Sequence, residues 1–130
     1  MHIRRESGFT LVEIMVAVAI VAILASIAYP SYVNQIVKSN RAAAQSLLME
    51  IAQKQSQYVL DNRGYTSSLT TLHVSVPDKV AGLYQVTIDV PATTPPSFTA
   101  KATPIAGGQQ AVDGELTINN AGTKTPPDKW

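Results

Sequence analysis

Gly8-Phe9-Thr10-Leu11-Val12-Glu13 is the stretch of this chain whose residue types and spacing could do chemistry. Glu13 opens a run in which no charged residue follows from Ile14 to Val37, and Ile14–Ala28 is apolar except for Ser26. A carboxylate inside a hydrocarbon-spanning helix is costly, so such a group usually has a partner or a function. Counted from Phe9 to Pro30, the segment is just long enough to cross a hydrocarbon core of about 30 Å as a helix. Arg4 and Arg5 precede it and Lys38 and Arg41 follow it, a slight asymmetry that favours a cytoplasmic N-terminus.

Three readings fit this segment. In a secretory signal, His2–Arg5 is the basic region, Leu11–Leu24 the apolar region, and Ser26-Ile27-Ala28 a small-x-small site before Tyr29. Glu13 opposes that reading, and so does a helical pattern that continues past Pro30. A plain single-span anchor also leaves Glu13 idle. In the third reading the leader Met1–Gly8 is removed, and Phe9 gains a free amine beside the positive end of the helix dipole. Glu13 then offers the opposite charge about one turn on, either within one chain or to the amine of a neighbour. A buried pair of this kind acts as a registry device, because breaking it leaves an expensive orphan charge.

The rest of the chain offers little other chemistry. It has no cysteine, so disulfides, thiolate metal sites and cysteine nucleophiles are excluded. His2 lies in the leader and His73 is isolated in a connecting segment, too few for a His-based triad or metal cluster. No nucleophile–base pair, phosphate loop or cofactor motif is present, so the expectation is a protein that is not an enzyme and holds no cofactor or metal. Asp113, Glu115 and Asp128, with Asn119 and Asn120, are the weak set of oxygens available to calcium. Without residues 1–8 the acidic and basic side chains balance, and Lys79, Lys101, Lys124 and Lys129 are sparse. A nucleic-acid ligand is therefore disfavoured.

The elements that must position these residues follow from periodicity. Pro30 removes a helix donor and crowds the carbonyl four residues back, which predicts a kink or local melting around Ser26–Pro30. Ser31–Leu60 reads as an amphipathic helix, with Ile36, Ala43, Leu47, Ile51 and Tyr58 at helical steps and Val37, Ala44, Leu48 and Ala52 widening the stripe. Ser39, Asn40 and Gln45 weaken its first third, and Glu50–Lys54 is an i,i+4 pair. Gly64 suits a left-handed end to the helix. Tyr65–Gly82 has no sustained period and reads as a connecting loop. Leu83–Val90, Ser97–Thr103 and Glu115–Asn119 alternate as strands, with turns at Pro91–Pro96 and Pro104–Gln110. Pro126 and Pro127 stop the tail from continuing the sheet comfortably, and Trp130 anchors it. The expected fold is α+β: a long N-terminal helix packed on a small antiparallel sheet of three to four strands. Its parts are a leader (1–8), a transmembrane helix (9–30) and a globular domain (31–130).

The Gly8–Glu13 motif with its apolar stretch resembles the class III signal of type IV pilins and pseudopilins. Tyr29-Pro30-Ser31-Tyr32, Ser39-Asn40-Arg41, Asp61-Asn62-Arg63-Gly64-Tyr65, Leu83–Val90, Gly114-Glu115-Leu116-Thr117-Ile118 and Trp130 extend the likeness to the pilE-like minor pilins of Gram-negative bacteria. The resemblance implies that a prepilin peptidase cleaves between Gly8 and Phe9 and N-methylates Phe9. It also implies that Glu13 assists assembly and that the turn at Pro30 can unwind in the filament. It names as partners other pilin subunits and the inner-membrane pilus assembly machinery. The implied location is the inner membrane as a single-pass protein, then the extracellular pilus. Minor pilin is the implied role; major pilin, type II secretion pseudopilin and DNA-uptake receptor are the alternatives. One departure stands out: the family's cysteines before the last-strand glycine and before the terminal tryptophan are here Asp113 and Lys129, which suggests an ion pair in place of a disulfide.

Overall fold

The computed structural model describes residues Ser7–Trp130, so Arg4 and Arg5 of the leader lie outside the described residues. The chain divides into two units, the segment up to Gln35 and Ile36–Trp130. One α-helix, α1 (Leu11–Asn62), begins in the first and ends in the second. Pro30 does not interrupt it. The turn Ser26–Pro30 stays helical in the single chain, and Ser26 Oγ donates to Ile23 O at 2.7 Å.

In the second unit the helix buries Val37, Asn40, Ala44, Leu47, Leu48, Ile51 and Gln55. Their spacing of three and four residues makes one continuous stripe. Ala44, Leu47, Leu48 and Ile51 share a core with Tyr84, Ile88, Phe98, Ala100, Ala102, Leu116 and Ile118. Those seven come from or beside a four-stranded antiparallel sheet in sequential order, β1 (Tyr84–Asp89), β2 (Thr99–Pro104), β3 (Leu116–Asn119) and β4 (Lys124–Thr125). Ile88 faces Ala100, which faces Ile118, so one row of inward side chains crosses the strands. The fold is thus a long helix on a small antiparallel sheet, the α+β arrangement expected from periodicity.

Four local expectations need correction. The helix ends on Arg63, not Gly64: Arg63 takes φ 56° while its N–H still reaches Val59 O at 2.9 Å. A non-glycine residue adopts this conformation at a cost of about 1–2 kcal/mol, and Asn62 Nδ2 helps by donating to Tyr58 O. The connecting loop Tyr65–Gly82 is not structureless. It carries a short helix, α2 (Asp78–Ala81), and sends Leu72, Val74 and Val80 into the core. Buried Gln55 fixes its start, accepting from Thr66 N–H and donating to Thr66 O like an adjacent strand. The tail does pair with the sheet, as β4. The turn into it is built by Asn119 Oδ1, which accepts from Ala121 and Thr123 N–H, and Pro126 then ends the strand. Finally, Glu50 and Lys54 form no ion pair among the described residues.

Candidate functional site

Two carboxylates organise the places where this chain can act, one in each unit. In the first, Ser7–Thr10 precede the helix without regular structure and are exposed. A Cβ built on Gly8 meets nothing within 4 Å, so the fold itself does not demand glycine there. Thr10 then caps the helix. Its N–H and Oγ1–H both donate to Glu13 Oε2, at 2.6 and 2.8 Å, while Glu13 N–H donates to Thr10 Oγ1 at 3.2 Å. This reciprocal arrangement is a capping box, which satisfies backbone donors that a helix N-terminus otherwise leaves open. Sequence reasoning assigned Glu13 a charge partner and overlooked Thr10, although Thr-x-x-Glu ahead of an apolar run is the signature of such a cap.

From Ile14 to Ala28 the helix is apolar on every side except at Ser26, and none of this stretch is buried. Phe9 is 85 % exposed, and Leu11, Val12, Ile14, Met15, Val16, Val18, Ile20 and Val21 are all at least half exposed or nearly so. It is long and apolar enough to cross a membrane. A helix that is hydrophobic all round requires lipid or other helices around it.

In the second unit Asp113 is 3 % exposed and sits at the end of a 3-10 turn, Gln109–Asp113. Gly114 follows with φ 78°, a conformation that favours glycine and turns the chain into β3. Arg41 grips the carboxylate with two nitrogens, Nε at 2.7 Å from Oδ2 and an Nη on Oδ1. Lys129 Nζ stands 3.7 Å from Oδ1 and donates to the Asp113 carbonyl. Gln110 Nε2 donates to Val37 O at 2.9 Å, and its Oε1 accepts from Asn40 Nδ2 at 3.2 Å. Gln45 Nε2 closes the tail by donating to Lys129 O at 2.5 Å.

Burial pushes the Asp113 carboxyl up, but the hydrogen bonds of Arg41 and the charges of Arg41 and Lys129 outweigh it. Its pKa lies below the usual carboxylate range. The bond to Asp113 raises the Arg41 guanidinium in turn. Tyr84 is pushed up to about 12, chiefly by burial. Its hydroxyl approaches Gln110 and Asp113 without reaching hydrogen-bond geometry and is left without a partner.

Asp113 and Lys129 are thus side by side, with Arg41 as the closer partner of the carboxylate. Arg41, Asn40 and Gln110 were not expected here. The available signal was the Asn40-Arg41 break in a stripe that otherwise keeps its period. The four lysines weighed for nucleic acid do not gather. Lys101 pairs with Thr117 on the solvated face, and Lys124 reaches Met49 Sδ on the helix side and stacks 5.0 Å over Trp130. Lys79 donates to Ser39, and Lys129 belongs to the Asp113 cluster. Among the described residues no three His, Asp or Glu side chains gather as a metal site.

Comparison with known proteins bears on both carboxylates. A family model described as the prokaryotic N-terminal methylation motif matches residues 3–29. A second, described as type IV minor pilin ComP, DNA uptake sequence receptor, matches residues 30–117. Over 69 residues the chain is 33 % identical to the type IV wide pilus major component PilA4 of Thermus thermophilus, covering 53 % of each. Over 68 residues it is 37 % identical to type II secretion system core protein G of Aeromonas hydrophila, covering 52 % of this chain and 48 % of that one. It is 29 % identical over 87 residues to a fimbrial protein of Neisseria meningitidis serogroup B, covering 65 % and 50 %. The matches span about half the length of these curated relatives.

Proposed function

The chain belongs to the type IV minor pilin ComP family, and from that premise we propose that it is a precursor cleaved between Gly8 and Phe9 and assembled as a structural subunit of a pilus. One observation carries the proposal: the exposed, predominantly apolar stretch Leu11–Tyr29 of the helix, whose one acidic group, Glu13, is held at the first turn by Thr10. A prepilin peptidase is the partner that reads Gly8. Open space around Gly8 argues that the need for glycine comes from the enzyme's close approach, not from this fold. Cleavage exposes the Phe9 amine, which is then N-methylated, beside a carboxylate already oriented toward the helix start. The subunit waits in the inner membrane as a single-pass protein. It passes by way of the assembly machinery into the fibre, where Phe9–Tyr29 meets the helices of other subunits and Glu13 neutralises a neighbour's terminus. Pro30, which leaves Ser26 O without its i+4 donor, is the place where that helix yields on assembly. In the globular domain the Asp113–Lys129 contact, reinforced by Arg41, does the work of the family's missing disulfide.

N-terminal mass spectrometry of the membrane-extracted protein, together with immunoblotting of sheared surface fibres, tests the reading. The expected result is a chain starting at methylated Phe9 and present in the sheared fraction. A start at Tyr29, or absence from fibres, refutes it. The family's description favours one further role, a receptor for DNA during uptake. The dispersed lysines weigh against a large electrostatic contribution. Retardation of duplex DNA that weakens steeply with salt supports this role, and no retardation at low salt removes it.

A further inference from the structure

Two tyrosines close the apolar stretch of the helix. Tyr29 and Tyr32 are 71 % and 67 % exposed, and three residues apart on a helix they project from one face. Each has an apolar ring and a polar tip, a build that suits a boundary between hydrocarbon and water. The turn that leads into them carries an open carbonyl. Pro30 has no N–H, so Ser26 O lacks its i+4 donor. The Ser26 hydroxyl does not offset this, because it donates to Ile23 O at 2.7 Å. An unmet carbonyl is costly in hydrocarbon, where no water is at hand to satisfy it. The two phenols and the open carbonyl thus require the same surroundings, and Ser26 and Tyr32 lie only about 9 Å apart along the helix axis.

Length places that level at one face of a bilayer. At 1.5 Å per residue Glu13 and Tyr29 are about 24 Å apart along the helix, and Thr10 and Tyr32 about 33 Å. A hydrocarbon core of about 30 Å fits between the Thr10–Glu13 cap at one end and the tyrosine pair at the other. The uncharged stretch from Ile14 to Ala28 then lies inside it, and Asn34, Gln35 and Lys38 follow outside.

We propose that Tyr29 and Tyr32 form a headgroup anchor that fixes the depth of the membrane-inserted subunit. The partner is the phospholipid surface on the side away from the leader, with the phenol tips among the headgroups and the rings on the upper acyl chains. The anchor holds the Pro30 turn at the interface, where water reaches Ser26 O. It also sets Glu13 near the opposite interface, away from the bilayer midplane. The inference rests on the single-pass reading above and adds to it the residues that set the depth.

Trp130 is the sole tryptophan, so Trp130→Phe gives a silent fluorescence background. Tyr29→Trp, or Ile20→Trp near the middle of the stretch, is introduced into the full chain, which is reconstituted in vesicles of zwitterionic and anionic phospholipid. Lipids brominated near the glycerol or deep in the acyl chain serve as quenchers. The expected result is that Tyr29→Trp is quenched about threefold more by the shallow label, and Ile20→Trp more by the deep one. Tyr29→Trp quenched mainly by the deep label, or by neither, overturns the anchor, while a deeply quenched Ile20→Trp leaves the single-pass reading intact. If Ile20→Trp is quenched by neither label, the single-pass reading falls and the inference falls with it. The anchoring role is read separately at Leu24→Trp. There Tyr29→Ala combined with Tyr32→Ala should change the shallow-to-deep quenching ratio by about twofold or more. An unchanged ratio in that variant also overturns the anchor.

Discussion

Replacing Arg41 with alanine strips the Asp113 carboxylate of its closest partner while leaving it 3 % exposed. Breaking a fully buried ion pair by removing one member costs about 3–5 kcal/mol, because the remaining charge is uncompensated. Two features of this site lower that figure. Arg41 itself is 19 % exposed, so its loss does not open the deepest part of the domain, and Lys129 remains 3.7 Å from the carboxylate. A cost of about 2–3 kcal/mol follows. For a domain of this size, each kcal/mol moves the melting midpoint by roughly 4–8 °C, which gives a fall of about 10–20 °C. Trp130 is the sole tryptophan, and its Nε1 donates to Thr125 O within the same C-terminal tail. Its fluorescence during thermal unfolding of the detergent-solubilised full chain therefore reports on the cluster directly. Arg41→Lys should fall between the two, since an ammonium cannot reproduce the two-pronged grip. A fall of less than about 4 °C for Arg41→Ala, no larger than for the exposed control Lys38→Ala, refutes the argument.

The pKa of Asp113 is lowered on folding, so its contribution to stability is full above the ordinary carboxylate value near 3.9 and is lost as pH falls through the folded value. The melting midpoint should be flat from about pH 7 to 5 and fall below about pH 4, and Asp113→Asn should flatten much of that acid limb. Tyr84→Phe deletes a buried hydroxyl that has no partner and should leave stability unchanged or raise it by about 1 kcal/mol, read as urea midpoint. Gln55→Ala removes both bonds to Thr66 and leaves a buried gap, and should cost about 2–3 kcal/mol in the same assay.

The helix, the three longer strands and the inward face of each were legible because period and burial coincide there. Tyr84, Val86 and Ile88 alternate with Gln85, Thr87 and Asp89 in sequence, and the former are the more buried in the fold. What escaped was decided by contacts between residues far apart in the chain. Asn40 and Arg41 look like flaws in an apolar stripe until Gln110 and Asp113, some seventy positions on, arrive to meet them. Leu72, Val74 and Val80 have no regular period because irregular backbone carries them into the core. The two-residue strand β4 has no alternation long enough to read; its signal was the Asn119–Gly122 turn in front of it. The charge at Glu13 was legible from its neighbours' apolarity, while its cap was overlooked despite being written in the four residues Thr10–Glu13.

Glu13 and Asp113 pose one electrostatic problem under two conditions. Each is an acid set among apolar residues, the first at the start of a stretch long and apolar enough to cross a membrane, the second in the interior of a domain. Asp113 is matched by full positive charges fixed in the same unit, so its neutralisation is complete in the single chain and independent of assembly. Among the described residues Glu13 is matched by dipoles alone, the N–H and hydroxyl of Thr10. A cap of that kind orients a carboxylate without cancelling its charge. The difference sets the direction of each group's action: Asp113 has little to gain from a new cation, whereas Glu13 gains from any ammonium that reaches it. Under the proposed processing, cleavage after Gly8 would create such an ammonium at the head of each subunit. On that proposal, an acid held in place but not neutralised would favour the packing of processed chains over that of precursors.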